Sequence, residues 1–198
     1  MSYKITSWLD SEKLENISTS EYWNNKEVET KKMWSIPNDD FSALEEYFDK
    51  KQLFDQMEYV LKQNSIDLNN NTIASLACGT CVLESKILSK YKEIQKIFCV
   101  EFSKHRINEI APKVLKHFQI NPKRVELCLG SFYDLKIEDR SLDIVILCQA
   151  FHHAEDPDKL LSEIRRVLKQ NGKVVIIGEH HFDTIKISKR IIKHFIKW

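Results

Sequence analysis

From Thr72 onward, short apolar runs alternate with stretches in which apolar residues recur at helical spacing. The runs predict strands near 72–77, 96–101, 125–129, 142–148 and 173–178, and the periodic stretches predict helices near 81–91, 103–118 and 157–169. Each helix has its punctuation: Ser103 is placed to cap the second, Asp156 before Pro157 starts the third, and Asn171-Gly172 stops it. Pro112 should kink or divide the second helix. Strands alternating with helices predict an α/β fold, a parallel sheet buried on both faces with right-handed crossovers.

Residues 1–70 read differently. Ser42-Ala43-Leu44-Glu45 has the form of a capping box, and Leu44, Tyr47, Phe48, Phe54, Met57, Val60 and Leu61 then recur near helical spacing. A polar linker, Asn64 to Asn71, leads into the first strand. The expected division is therefore a helical, aromatic-rich extension over 1–70 and a main domain over 71–198. Trp8, Tyr22, Trp23 and Trp34 lie among polar residues, an unusual setting for large aromatics. They either pack on the main domain or belong to a lid that closes over a site.

The run T-I-A-S-L-A-C-G-T-C at 72–81 carries a strand into a glycine turn and then into a helix. Such a turn is where α/β proteins hold cofactors, because glycine admits close approach and the helix N-terminus presents unpaired N–H groups. Glu101, ending the next apolar run I-F-C-V-E, stands where nucleotide folds place a carboxylate able to accept hydrogen bonds from both ribose hydroxyls. Cys78-Gly79-Thr80-Cys81 also has the C-x-x-C form of a thioredoxin-like redox site. The downstream strand and helix order speaks against that fold, and zinc lacks a second C-x-x-C or H-x-x-x-H pair.

These segments in their order resemble the class I S-adenosylmethionine-dependent methyltransferases over roughly residues 70–181. A-C-G-T-C resembles the glycine-rich first motif and V-E-F-S at 100–103 the acidic end of the second strand. L-G-S-F-Y-D-L at 129–135 and S-L-D-I-V-I-L-C-Q-A-F-H-H-A-E-D-P at 141–157 resemble the next two strand ends. L-L-S-E-I-R-R-V-L-K-Q-N-G-K-V-V-I-I at 160–177 resembles the following helix, turn and fifth strand. The resemblance implies a Rossmann-like sheet sandwiched by helices, with S-adenosylmethionine as cofactor. It implies cofactor contacts from Ser75, Ala77, Gly79 and Cys81 in and before the first turn, Glu101 and Phe102 after it, then Ser131, Phe132 and Gln149. The family usually carries an acid where Ser75 stands, glycines where Ala77 and Cys81 stand, and often an acid at Ser131. Neither Ala77 nor Cys81 can take a positive φ as cheaply as glycine. Family members also extend beyond the fifth strand by a helix and two strands. This sequence offers only T-I-K-I-S-K-R-I-I-K-H-F-I-K-W, implying a shortened C-terminal end or an exposed sheet edge through which copies could pair.

Composition narrows the partners. Thirty basic and 29 acidic residues give a net charge of +1, and no basic stripe interleaved with aromatics is present, so nucleic acid is not expected as a partner. No stretch is long and apolar enough to span a bilayer, and the start lacks a signal-peptide layout, so a cytoplasmic protein is expected. The basic C-terminal helix could touch anionic lipid, but covering the sheet is the commoner role. Five cysteines, mostly in apolar strands, suit a reduced chain.

Methyl transfer from a sulfonium is an in-line displacement, which asks chiefly for alignment. A hydroxyl or amine acceptor must also lose a proton, and His152 after the fourth strand, with Glu179 and His180 after the fifth, are the candidate catalytic residues. His152 and His153 can equally serve only to pack their loop. The four histidines with Glu155, Asp156 and Glu179 match no recognised ligand spacing, so no metal site is expected. The expected function is methyl transfer to an O or N atom of a small soluble acceptor, a metabolite or sugar-like molecule. The alternative is a methyltransferase-like module that binds and no longer catalyses. A Rossmann dehydrogenase fits less well, since the turn lacks G-x-G-x-x-G.

Overall fold

The computed structural model describes residues 2–9 and 36–179 of the chain. Its centre is a six-stranded sheet, all parallel, formed by β1 (Lys4–Ser7), β2 (Thr72–Leu76), β3 (Lys96–Glu101), β4 (Val125–Leu129), β5 (Leu142–Cys148) and β6 (Leu168–Ile177). The strand order is β1-β4-β3-β2-β5-β6. The chain runs outward from β2 through β3 to β4 and then returns to place β5 on the other side of β2. The carboxyl ends of β2 and β5 therefore flank the topological switch point, where an open α/β sheet leaves a crevice for ligands.

The helices are α1 (Ser42–Lys50), α2 (Leu53–Gln63), α3 (Val82–Lys90), α4 (Ala111–His117) and α5 (Pro157–Val167). Period-two alternation sends the strand side chains to two cores. On one face Ile73, Ile97, Cys99 and Ile146 pack with Met57 and Leu61 of α2, Leu83 and Ile87 of α3, and Leu115 of α4. On the other, Ala74, Leu76, Val100 and Val145 pack with Leu160, Leu161, Ile164 and Val167 of α5. The sheet is thus sandwiched by helices, and α2 shares a core with the strands rather than standing off as a separate layer. Among the described residues no helix is long and apolar enough to cross a membrane.

The strands β2 to β5 fall where the apolar runs predict them. Pro112 does not divide its helix: a π turn over Arg106–Ile110 passes directly into α4 with helical backbone at both Ile110 and Ala111, and the wider turn lies just ahead of the proline. Ser103 Oγ accepts the Arg106 N–H, and Asp156 Oδ1 caps α5 by accepting from Lys159 N–H at 3.0 Å.

Three further local expectations need correction. The N-terminal stretch opens with a strand, not a helix: β1 pairs with β4, Lys4 to Glu126 through Ser7 to Leu129. Lys4-Ile5-Thr6-Ser7 is mostly exposed and shows no apolar run, because a carboxylate on β4 holds it. The capping box does not form either: Ser42 lies inside α1, and Asp40 Oδ1 accepts its N–H while Glu45 meets His117. Finally, β6 begins earlier than expected, at a register shift where Leu142 pairs Leu168 but Ile144 pairs Lys173, so Asn171-Gly172 lies in a bulge.

Candidate active site

The turn after β2 has a backbone that few side chains accept. Ala77, Gly79 and Cys81 all have positive φ, at 53°, 59° and 63°. These are the glycine positions of the resembled motif, so the conformation is kept while two of its glycines are not. An L-residue in this region costs about 1–2 kcal/mol. The turn is held down by Glu101, which is only 5% exposed. Glu101 Oε2 accepts the Gly79 N–H at 2.8 Å, and Oε1 accepts those of Phe102 and Ser103 at 2.9 and 2.8 Å. A carboxylate offers about four acceptor positions, so one is left for a ligand where the sequence suggested two ribose contacts. The Cys78 N–H also reaches Val100 O of β3 at 3.0 Å.

Beside Gly79 a Cβ would meet nothing within 4 Å. Thr80 Oγ1 in the same turn is buried and has no hydrogen-bond partner. A buried hydroxyl of this kind is ordinarily satisfied by a ligand or water. The open space beside Gly79 fits a cofactor approaching the backbone of the turn, with the unmet Thr80 hydroxyl buried just beneath it.

Ser75 and Cys81 do not face that space. Ser75 is 1% exposed, and its hydroxyl meets Glu84 Oε1 of α3 at 2.5 Å. The acid absent from position 75 is thus supplied from the helix. Burial pushes the Glu84 carboxyl up to about 8, and Cys78 nearby adds to the effect. Glu84 could have been read from the sequence: with Ile87 and Leu88 it shares the buried face of α3, where a carboxylate is out of place. Cys81 is fully buried, and the Cys78 and Cys81 sulfurs lie 3.6 Å apart. Burial raises the Cys78 thiol well above its usual range, and hydrogen bonding to Cys78 and Cys99 does the same for Cys81. Neither has the lowered pKa of a redox nucleophile.

Further along the edge, Ser131 Oγ accepts the Tyr133 N–H at 3.2 Å, and Phe132 packs edge-on to Tyr133. Trp8, carried there by β1, covers Gly130 so closely that a Cβ would lie 2.9 Å from its ring. The Trp8 backbone N–H donates to Leu129 O at 2.8 Å. Gln149, at φ 50°, accepts the Tyr47 hydroxyl of α1 at 2.8 Å, which fixes the end of β5 to the helical layer. Tyr22, Trp23, Trp34, His180 and His181 lie outside the described residues.

On the β5 and β6 side of the crevice, Glu179 gathers the loop Phe151–His153. Oε1 accepts from Ala150 and Phe151 N–H at 2.9 Å each, and Oε2 from His152 N–H at 3.2 Å. The same Oε2 lies 2.7 Å from His152 Nδ1. Glu179 therefore holds the histidine and its loop. The His152 and His153 rings are 4.0 Å apart. Burial, and then the neighbouring His152, lower the His153 pKa and favour its neutral form. Beyond Glu179, a groove of about 460 Å³ runs between α2 and the end of β6, lined by Gln52, Asp55, Tyr59, Gly178 and Glu179 among others.

Comparison with known proteins agrees with this geometry. The sequence profile of the family described as "Methyltransferase domain" matches residues 74–176. The chain is 30% identical over 131 residues to a demethylmenaquinone methyltransferase of Lactococcus lactis, covering 66% of this chain and 50% of the relative. It is 26% identical over 175 residues to a ribosomal RNA large subunit methyltransferase G of Pseudoalteromonas atlantica, covering 82% and 44%. The chain thus spans about half the length of the curated relatives it matches. The crystal structure of a SAM-dependent methyltransferase from Aquifex aeolicus shares the fold at a TM-score of 0.59 and 20% identity, over 72% of this chain and 79% of that one. With the switch-point crevice, the glycine-turn backbone and the carboxylate after β3 in place, the chain belongs to the class I methyltransferase family, whose cofactor is S-adenosylmethionine.

Proposed function

We propose that the chain transfers a methyl group from S-adenosylmethionine to an O or N atom of a small acceptor, with His152 as the base that receives the acceptor's proton. The cofactor supplies an electrophilic methyl on a sulfonium leaving group. Glu101 and the Gly79 turn hold its nucleoside end through one remaining carboxylate position and the backbone. The observation that carries the proposal is the Glu179 to His152 contact at 2.7 Å. A base whose Nδ1 proton is donated to a carboxylate keeps its lone pair on Nε2 and has its ring fixed, the arrangement general-base catalysis requires. Glu179 acts by holding the ring. It is a positioning residue here, and His180 is a second candidate base. The relatives' names point to acceptors as different as demethylmenaquinone and ribosomal RNA, so the names do not choose the acceptor.

The test is release of S-adenosylhomocysteine with panels of hydroxyl, amine and quinol metabolites, and with RNA. His152→Ala should lower turnover by roughly 10²–10⁴-fold with cofactor affinity unchanged. Glu179→Gln should shift the pH–rate profile. Glu101→Ala should weaken S-adenosylhomocysteine binding by calorimetry at least ~10-fold, the loss of a charge-assisted hydrogen bond. Full turnover in His152→Ala would leave alignment as the whole mechanism.

A second reading, a module that binds without catalysing, draws on Ala77 and Cys81 standing where the turn wants glycine. Tight cofactor binding with no transfer to any acceptor would favour it.

A further inference from the structure

The sequence offers C-x-x-C without a second linear pair, but the fold brings a third thiol to it. Cys99 of β3 lies beneath the cofactor turn, and the sulfurs of Cys78, Cys81 and Cys99 are all within 4.8 Å of one another. Around a zinc with Zn–S bonds of ≈ 2.3 Å, thiolate sulfurs sit about 3.8 Å apart. The 3.6 Å between Cys78 and Cys81 already matches that spacing, and the rest need shift by no more than about 1 Å. We propose that these three cysteines form a site for a thiophilic d10 cation, Zn²⁺ or Cu⁺, which ties the cofactor turn to β3.

Independent of the spacing, Glu84 Oε2 is buried beside this cluster without a hydrogen-bond partner. A buried carboxyl oxygen left unmet is costly; it does not share the 4.8 Å spacing of the three sulfurs, so the fourth position is left to water or another small donor. Charge points the same way. The three clustered thiols, with the Glu84 carboxyl and the Glu101 carboxylate of the turn close by, are all groups whose charged forms are anions. A cation would supply the opposite charge that these neighbours do not, and would release the thiol protons on binding. Soft thiolate donors select zinc or cuprous copper over magnesium and calcium. Cys81 and Cys99 are buried, and Cys78 is partly exposed as a residue while its place in the sulfur cluster is buried. Such an ion would also explain how a turn short of two glycines keeps its shape: coordination fixes Cys81 at its positive φ from the side-chain end.

The experiment uses the full chain, reduced and freed of metal by a chelator. Titration with Co²⁺ should give one equivalent with strong thiolate charge-transfer absorption, displaced by Zn²⁺, and a parallel arm measures Cu⁺ by competition with a cuprous chelator. Which ion binds tighter distinguishes the two sources. Cys99→Ser should weaken binding by roughly 100-fold or more, beyond the ~10–100-fold expected from losing an outer partner. Cys128→Ser, which lies in the opposite core, should change nothing. Because Cys99→Ser could fail to fold, alkylation followed by mass spectrometry on the unaltered chain provides a second measure: Zn²⁺ should protect Cys78, Cys81 and Cys99 together and leave Cys148 unaffected. Absence of both Co²⁺ thiolate absorption and cuprous binding, or metal binding with these three thiols unprotected, would overturn the proposal.

Discussion

Glu84, on α3 against the sheet, and Glu126, on β4 of that sheet, are both withdrawn from water, at 1% and 6% exposure, yet their surroundings treat them oppositely. Glu126 sits near the start of β4, far along the strand from the crevice. Lys4 Nζ donates to it at 2.8 Å, Lys96 Nζ at 2.5 Å and Thr6 Oγ1 at 2.9 Å. Burial alone would raise its pKa, but the three hydrogen bonds outweigh burial and hold it down at about 2. Glu84, under the cofactor turn, has one hydroxyl for company and is pushed up to about 8. The first carboxylate is a clasp that fastens β1 to β4 and β3. The second is a polar group left short of partners at the edge where ligands bind. The difference separates an edge built for stability from one that keeps unmet groups for function.

The largest test of that contrast is pH. Glu84 has a folded pKa above its unfolded one, so between about pH 4.5 and 8 the unfolded chain has already lost the proton that the folded chain keeps. Stability should therefore fall as pH rises through this window, by a few kcal/mol at most given ~1.4 kcal/mol per pKa unit. Urea unfolding in chelator-treated buffer at pH 5 and pH 8 measures it. Glu84→Gln, neutral and still able to accept from Ser75, should flatten the profile. An equal fall in the variant would mean that Glu84 is not the group responsible.

Glu126 should give the mirror result at smaller size. Its stabilisation is present above about pH 4.5 and lost as pH falls toward 2. Lys4 is largely exposed, at 69% of its side chain, so screening limits the gain. Glu126→Gln should lose about 1 kcal/mol at pH 7 and almost nothing at pH 2. A loss that persists at pH 2 would assign Glu126 to packing and leave the clasp without its charge.

The same contrast explains what the sequence could reveal. Strands β2 to β5 are buried on both faces, so each appears as an unbroken apolar run. Gly79 and Glu101 were legible because a turn and an acid at nucleotide-fold spacing leave a linear trace. β1 leaves none, since hydrogen bonds to Glu126 hold it and its own residues are mostly polar and exposed. Glu179 could be placed at the right edge from its position after the fifth strand. That its four acceptor contacts go to residues 150–152 depends on how two loops fold back together. Cys99 beside Cys78 and Cys81 is likewise a product of strand pairing, in which Cys99 lies opposite Ser75. Ser42 misled because an acid two residues earlier caps the helix more directly.

The smallest expected effect is the sharpest in sign. Ala77 in the turn holds φ at 53°, whereas Ala74, three residues earlier, lies fully buried inside β2. Glycine at either position increases the freedom of the unfolded chain, at a cost of about 0.4–1 kcal/mol. In β2 nothing offsets that cost, so Ala74→Gly should destabilise by about 1 kcal/mol. In the turn, relief of the left-handed strain, about 1–2 kcal/mol, offsets it. Ala77→Gly should thus leave stability unchanged or raise it by up to about 1 kcal/mol. Thermal unfolding of the two variants side by side reads the difference. Two equal losses would show that the turn carries no strain at Ala77, and the contrast between the crevice edge and the rest of the sheet would then rest on Glu84 alone.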